Sequence, residues 1–379
     1  MRRPRVIYWV VFLDALLMFA IVPLLPQYVR DLDMSKTQAG IAVGAYSGAV
    51  LFGSPIVGHW SARIGARRLT IFGVALLAVA TLALTEVSSF AGLFGVRVGQ
   101  GLSSAVSWTA GMAWLSEASP AAERGRVLGA AMSFASVGTL VGPVVGGTLG
   151  SAYGVKVPFV VLGLAAAILT AFCLAAPPAP RAAEAVPVRA LVRTLGESRL
   201  VLAALVVMTL VATVSGTLDT LVPLRMGEAG YSAIAITGIL TAAGVLATIC
   251  NYSVGRLFDR IGGVRIAVIS MLATAALVTL PVVFTAAVVA IAVFLASTPP
   301  IAGQYAVAFP LCAAGAYGAG IPHSSVFGIL NLAWGLGFLV GPAAGAAIAE
   351  ASSDRVTYAI LVVLTVVVAA NVRSLALST

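Results

Sequence analysis

This sequence is poor in charge. Only 9% of its 379 residues are Asp, Glu, Lys or Arg, while 60% are apolar. A soluble domain carries roughly 25% charged residues, so a soluble fold of this length is excluded. Disorder and coiled coil need polar residues in quantity and are excluded by the same numbers. Cysteine is scarce as well: Cys173, Cys250 and Cys312 each fall inside an apolar run, which implies no disulfide framework. The two histidines, His59 and His323, have no Cys or His at ligand spacing, which argues against zinc or haem. In place of all this there are apolar runs of about 20 residues without strict alternation. Such runs cross membranes as helices, not as barrel strands.

Twelve spans are expected, at 6–28, 38–60, 69–84, 90–115, 127–149, 157–176, 200–224, 233–258, 264–283, 286–314, 324–349 and 356–372. The fold class is therefore an all-α polytopic membrane protein. The first run is too long for a signal-peptide core and reads as a retained helix. A polar stretch at 177–198 reads as a cytoplasmic linker between an N-terminal six-helix bundle, 1–176, and a C-terminal one, 199–379. An internal repeat supports the division. GHWSARIGARR from Gly58 returns as GRLFDRIGGVR from Gly255, 197 residues on. VGPVVGG from Val141 returns as VGPAAGA from Val340 after 199, and VPLLP from Val22 as VPLRM from Val222 after 200. One six-helix unit occurs twice in parallel, as in the halves of many transporters.

Basic charge sets an expected orientation. With the N-terminus inside, sixteen Arg residues fall in cytoplasmic segments, and only Arg30, Lys36, Lys156, Arg225 and Arg355 fall outside. That skew is the positive-inside rule, so the net charge of +9 is topological and implies no nucleic acid. Both termini are expected in the cytoplasm.

Three ionisable residues lie inside predicted spans: Asp14, Arg97 and Asp219. Each costs at least roughly 2.5–3.5 kcal/mol at a helix centre, which marks them as functional candidates. Asp14 lies about 12 Å from its inner end, too deep for a short side chain to reach water. Arg97 and Asp219 lie at similar depth from the outer end, which permits an ion pair, with Asp14 as the rival partner of Arg97. Gln100, Gly101, Ser104, Trp108 and Gly111 follow Arg97 at helical spacing, a small and polar stripe. Ser215, Gly216 and Asp219 share a face of the seventh span, and Phe327, Asn331, Trp334 and Phe338 share one of the eleventh.

These residues resemble the major facilitator superfamily (MFS), in particular its twelve-helix drug:proton antiporters. GHWSARIGARR resembles the family's helix 2–3 signature, with Gly58, Arg63, Gly65, Arg67 and Arg68 in place and Arg260 in the second copy. RVGQGLSSA around Arg97 resembles the fourth-helix motif. GTLVGPVVGG, with Gly142 and Pro143, resembles the fifth-helix antiporter motif, and LDALLMFAIVPLLP around Asp14 resembles the first-helix motif. LFGVRVGQGLSSAVSWTAGM and SSVFGILNLAWGLGFLVGPAAGAAI are similar to the vesicular amine transporters and their bacterial relatives. In those transporters, acids on the first and seventh helices handle protons or amines, and Asp14 and Asp219 match them. The family's helix 2–3 acid is Ala62 here, although the second copy keeps Asp259. A second-helix lysine and an eleventh-helix acid of the amine transporters are matched by Tyr46 and Asn331, and a tenth-helix acid by Gln304.

The resemblance implies a proton-coupled antiporter in the cell inner membrane that exports small amphipathic, neutral or monocationic compounds. It implies a monomer in the lipid bilayer with no cofactor, driven by the proton gradient. Asp14, Asp219 and Arg97 carry proton coupling; Tyr46, Gln100, Ser104, Trp108, Gln304, Asn331 and Trp334 line the substrate site. Asp259 remains as a gate latch near Arg126, while Ala62 weakens its counterpart, beside which stand His59 and His323. The rivals are a sugar or metabolite permease of the same fold and, in another class, a non-transporting membrane sensor. No nucleophile–base or metal constellation suggests an enzyme.

Overall fold

The computed structural model describes residues 4–120, 123–177, 198–318 and 323–377. Within these, the side chains of 58, 59, 62, 251–259, 317, 318, 323–327 and 374–377 lie outside the description. The described residues are helical throughout, and twelve long rods follow one another along the chain. They are Val6–Ala20, continued through a 3-10 turn, Val22–Leu24, into Leu25–Asp31; then Lys36–Ile64, Ala66–Ala83, Phe90–Glu117, Arg124–Tyr153 and Val157–Ala175. The second six are Arg199–Glu228, Ala233–Ile261, Gly263–Val278 with a short continuation Leu280–Val283, Ala287–Gly318, His323–Ala351 and Asp354–Leu377. Eleven of the twelve are long and apolar enough to cross a bilayer by composition alone; the fourth, Phe90–Glu117, is diluted by Arg97, Gln100 and its glycines and serines.

The twelve expected spans are all present, and several run further than hydropathy indicates, because polar residues continue the helical hydrogen bonding past the apolar stretch. The first span carries a local irregularity: Pro23 lacks a backbone donor, and the chain tightens into the 3-10 turn there. Its repeat mate Pro223 stays inside the continuous seventh helix.

Local chemistry repeats with the sequence. Ser35 Oγ accepts from the Gln38 amide while Gln38 returns a bond to the Ser35 N–H, a capping box that starts the second helix. Ser232, 197 residues on, caps the eighth helix through the Ala235 N–H. Gly65 and Gly262, again 197 apart, have φ of +97° and +83° and turn the chain between the second and third and the eighth and ninth helices.

The chain forms two compact units. One holds Met1–Met34, Ala45–Ala185 and Tyr231–Thr241; the other holds Ser35–Gly44, Val186–Gly230 and Ala242–Thr379. In the first unit the fifth helix packs on the first backbone to backbone. A methyl group at Gly138, Gly142 or Gly146 would overlap the carbonyl oxygen of Phe12, Leu16 or Ala20. In the second unit the eleventh helix packs on the seventh in the same way: Gly337 meets the Thr209 carbonyl, Gly341 that of Thr213, and Gly345 the Thr217 side chain. Each glycine is 199 residues from its counterpart. With no hydrophobic force between helices in lipid, small residues that let backbones approach provide the packing.

Candidate functional site: two acids in two bundles

The close packing of the first helix determines where Asp14 points. Phe12, Leu16 and Ala20 face the fifth helix, and Asp14, two residues past Phe12, lies about 200° around the axis. It therefore projects toward the second and fourth helices. Those two also touch backbone to backbone, since a Cβ at Gly101 would overlap the Tyr46 carbonyl. The contact brings Tyr46 and Ser104 together around the carboxyl. Asp14 Oδ2 accepts from the Ser104 hydroxyl at 2.7 Å and from the Tyr46 phenol at 3.2 Å. Asp14 is 3% exposed, and its Oδ1 is buried with no hydrogen-bond partner among the described residues.

Arg97 completes this cluster from the fourth helix. Its guanidinium carbon sits 4.9 Å from the centroid of the Tyr46 ring, a cation–π contact. Its Nη1 donates to Gln100 Oε1 at 3.0 Å, and Gln100 Nε2 donates to Thr81 Oγ1 at 3.2 Å. Arg97 is 1% exposed and Gln100 fully buried. Hydroxyls occupy Asp14, and the Tyr46 side chain links acid and guanidinium, phenol to one and ring to the other. Asp219 enters no ion pair among the described residues.

Asp219 is set differently, in the other unit. It is half-buried, one turn along the seventh helix from Ser215. Ser215 Oγ and the Tyr305 hydroxyl are 2.7 Å apart, and Tyr305 lies within electrostatic reach of Asp219 and beside Trp334. Trp334 stacks on Phe338, ring centroids 5.2 Å apart, next to Gly216 of the seventh helix. Carboxyl, two hydroxyls and two aromatic rings thus gather on one stretch of this bundle.

The remaining expected residues disperse. Tyr46, Gln100 and Ser104 are buried partners of Asp14 and Arg97. Gln304 is 1% exposed and donates to Thr274 Oγ1 and the Pro300 carbonyl. Trp108 and Asn331 are half-buried. Arg67 ends the sixth helix by donating to the Leu174 and Ala176 carbonyls, while Arg63, Arg68 and Arg260 are exposed. Gly142 and Pro143 are buried at the contact of the first and fifth helices. Gly58 lies within the second helix. The side chains of His59, Ala62, Asp259 and His323, and the linker at 178–197, lie outside the described residues, and with them the unequal gate latches.

Sequence reasoning missed Thr81, Thr274 and Tyr305. Thr and Ser within helices ordinarily bond their own backbone, as Thr274 does at the Ser270 carbonyl, so nothing in the pattern showed that Thr81 and Thr274 also accept from Gln100 and Gln304. Tyr305 stood next to Gln304 and was passed over for it.

Comparisons with known proteins bear on the whole chain. A family profile described as Major Facilitator Superfamily matches residues 7–321. The probable vesicular acetylcholine transporter-B of Danio rerio is 33% identical over 159 residues, 40% of this chain and 32% of that protein. Multidrug resistance protein 2 of Bacillus subtilis (strain 168) is 28% identical over 160 residues, 41% of this chain and 39% of that protein. The chain thus spans about a third of the length of the curated relatives it matches. Among solved structures, a bacterial homologue of the human lysosomal transporter Spinster superposes with a TM-score of 0.80 at 14% identity, covering 99% of this chain and 96% of that one. Nucleoside transporter NupG gives a TM-score of 0.74 at 12% identity, covering 97% and 99%. At such identities the likeness is one of fold.

Proposed function

The chain belongs to the Major Facilitator Superfamily, and from that membership we propose that it is a proton-coupled antiporter. In this reading it exports small amphipathic compounds, neutral or singly cationic, by alternating access of two six-helix halves. It works in the cell inner membrane with both termini in the cytoplasm, as a monomer, and needs no cofactor beyond the proton gradient.

The observation that carries the reading is the setting of Asp14. A carboxylate locked to a guanidinium stays charged and carries nothing. Among the described residues Asp14 is held by two neutral hydroxyls and its other oxygen has no partner, while the cation lies one side chain away. Such a group can exist with and without its proton inside the bundle, which is what coupling requires. Arg97, held by Gln100 and the Tyr46 ring, is a fixed positive charge that Tyr46 links to the acid.

Asp219 supports the substrate class. A half-buried carboxyl within electrostatic reach of Tyr305, which neighbours the stacked Trp334 and Phe338, suits an organic ammonium, whose charge meets the acid and whose apolar surface meets the rings. Proton and cation then compete for one carboxyl, so loading one releases the other. The relatives named for acetylcholine and for multidrug resistance fit such a substrate. Tyr46 and Asn331 stand at the two positions where the amine transporters carry charges, which separates this chain from simple monoamine transport.

The test is accumulation in proteoliposomes under an imposed pH gradient, with a panel of neutral, monocationic and anionic amphiphiles. Gradient-dependent movement of neutral or monocationic members is expected. Movement indifferent to the gradient would make the protein a facilitator, and none across the panel would overturn transport of this class.

A further inference from the structure

The outer face was expected to hold five basic residues, and three of them, Lys36, Arg225 and Arg355, line one pocket. The pocket has a volume of about 270 Å³ and lies wholly within the unit that contains the seventh to twelfth helices. It is built where the start of the second helix, the end of the seventh and the start of the twelfth meet, with Asp354, Tyr358 and Phe284 completing the wall.

Its charges are only partly balanced. Lys36 Nζ lies 3.0 Å from Asp354 and 3.2 Å from Glu228. Arg225 shares Glu228, at 3.1 Å, and donates its other Nη to the Thr285 carbonyl at 2.9 Å. Two carboxylates therefore serve two cations. Glu350 accepts from the Thr37 N–H beside Lys36, and Arg355 is exposed and enters no ion pair among the described residues, which leaves its guanidinium open to an anion.

A second cavity adjoins it. A groove of about 380 Å³ runs between the ninth and tenth helices, lined by Leu280, Phe284, Val288, Ala292 and Ala296 among others, all of them apolar. Phe284 belongs to both walls, so groove and pocket lie side by side. Leu280, Phe284 and Val288 are 43%, 57% and 63% exposed and face outward from the bundle.

We propose that pocket and groove together bind one anionic phospholipid of the outer-facing leaflet, its phosphate beside Arg355 and Arg225 and an acyl chain in the groove. Basic residues on the translocated side are disfavoured, so three gathered around one pocket call for a local reason. Guanidinium groups match phosphate geometry, and Arg355, without an ion pair among the described residues, is open to an anion. A soluble anion would leave the groove empty, and a neutral lipid would leave the charge unmet. The snorkelling of scattered basic residues to an interface would not bring three of them to the mouth of an apolar channel.

The test uses the full chain purified in detergent, with native mass spectrometry of retained lipid and titration with phosphatidylglycerol or phosphatidylcholine. Phosphatidylglycerol should be retained in preference to phosphatidylcholine. Arg355→Gln should weaken its retention about fivefold, the worth of one basic side chain beside an anionic lipid. Ala292→Trp should fill the groove and release the lipid while leaving the charges in place. Both positions are exposed, so neither change disturbs packing. Equal retention of the two lipids, or no effect of either variant, overturns the proposal. Competition by glycerol phosphate as strong as by the whole lipid would assign the pocket to a free anion and overturn the groove's part in it.

Discussion

Asp14, Tyr46 and Arg97 divide the work of one site among three side chains, and each can be tested alone. Asp14→Asn keeps the size and both hydroxyl partners but cannot titrate. Gradient-driven accumulation should vanish while thermal unfolding in detergent stays within about 1 kcal/mol of the parent. Unchanged accumulation would remove Asp14 from coupling. Tyr46→Phe deletes the phenol that donates to Asp14 but keeps the ring over Arg97; Tyr46→Leu deletes both. The cation–π contact is worth about 2 kcal/mol when desolvated, so Leu should slow transport well beyond Phe, by about thirtyfold at most. Equal rates for the two variants would show that the ring contributes nothing. Asp14 and Arg97 were visible in the sequence because ionisable residues stand out in apolar runs. Their link through Tyr46 was not, since a tyrosine in a span carries no mark of what its hydroxyl and its face will meet.

At the scale of elements, the helix pairs are held by backbone contact, and the glycines that permit it fall into two classes. Gly146 needs space: a methyl there meets the Ala20 carbonyl, and Gly146→Ala should destabilise the protein by about 1–3 kcal/mol through overpacking. Gly65 needs conformation: nothing lies within 4 Å of an added Cβ, but φ is +97°. Gly65→Ala should cost about 1–3 kcal/mol through the positive-φ backbone alone. The two can be separated by adding bulk. Valine at 146 should be much worse than alanine there, whereas larger residues at 65 should match alanine to first order, measured as unfolding temperatures in one detergent. A comparable penalty for bulk at both positions would contradict this division. The spans themselves were legible from apolar length, and the repeat was legible from three matching motifs. The 3-10 turn at Val22–Leu24 was not, because Pro23 and Pro223 occupy equivalent positions and only the packing around each decides whether the helix breaks.

For the molecule as a whole, the charge skew makes a directional claim. Lys156 and Arg68 are both exposed and belong to opposite sides of the expected topology. In intact cells a membrane-impermeant maleimide should label Lys156→Cys, and label Arg68→Cys only after permeabilisation; the reverse pattern would invert the orientation. Hydrophobicity, period and basic-residue bias are one-dimensional properties of a chain in a bilayer, so the sequence by itself determined the helix count, the twofold repeat and the expected sidedness. Which acid is sealed and which is open is a property of three dimensions. Asp14 and Asp219 are the same residue type inside apolar spans, yet one is closed in by hydroxyls from two neighbouring helices and the other lies half-buried within electrostatic reach of Tyr305. Only the tertiary structure decided that, because the difference lies in which helices approach backbone to backbone, and glycines set that approach without revealing their partners.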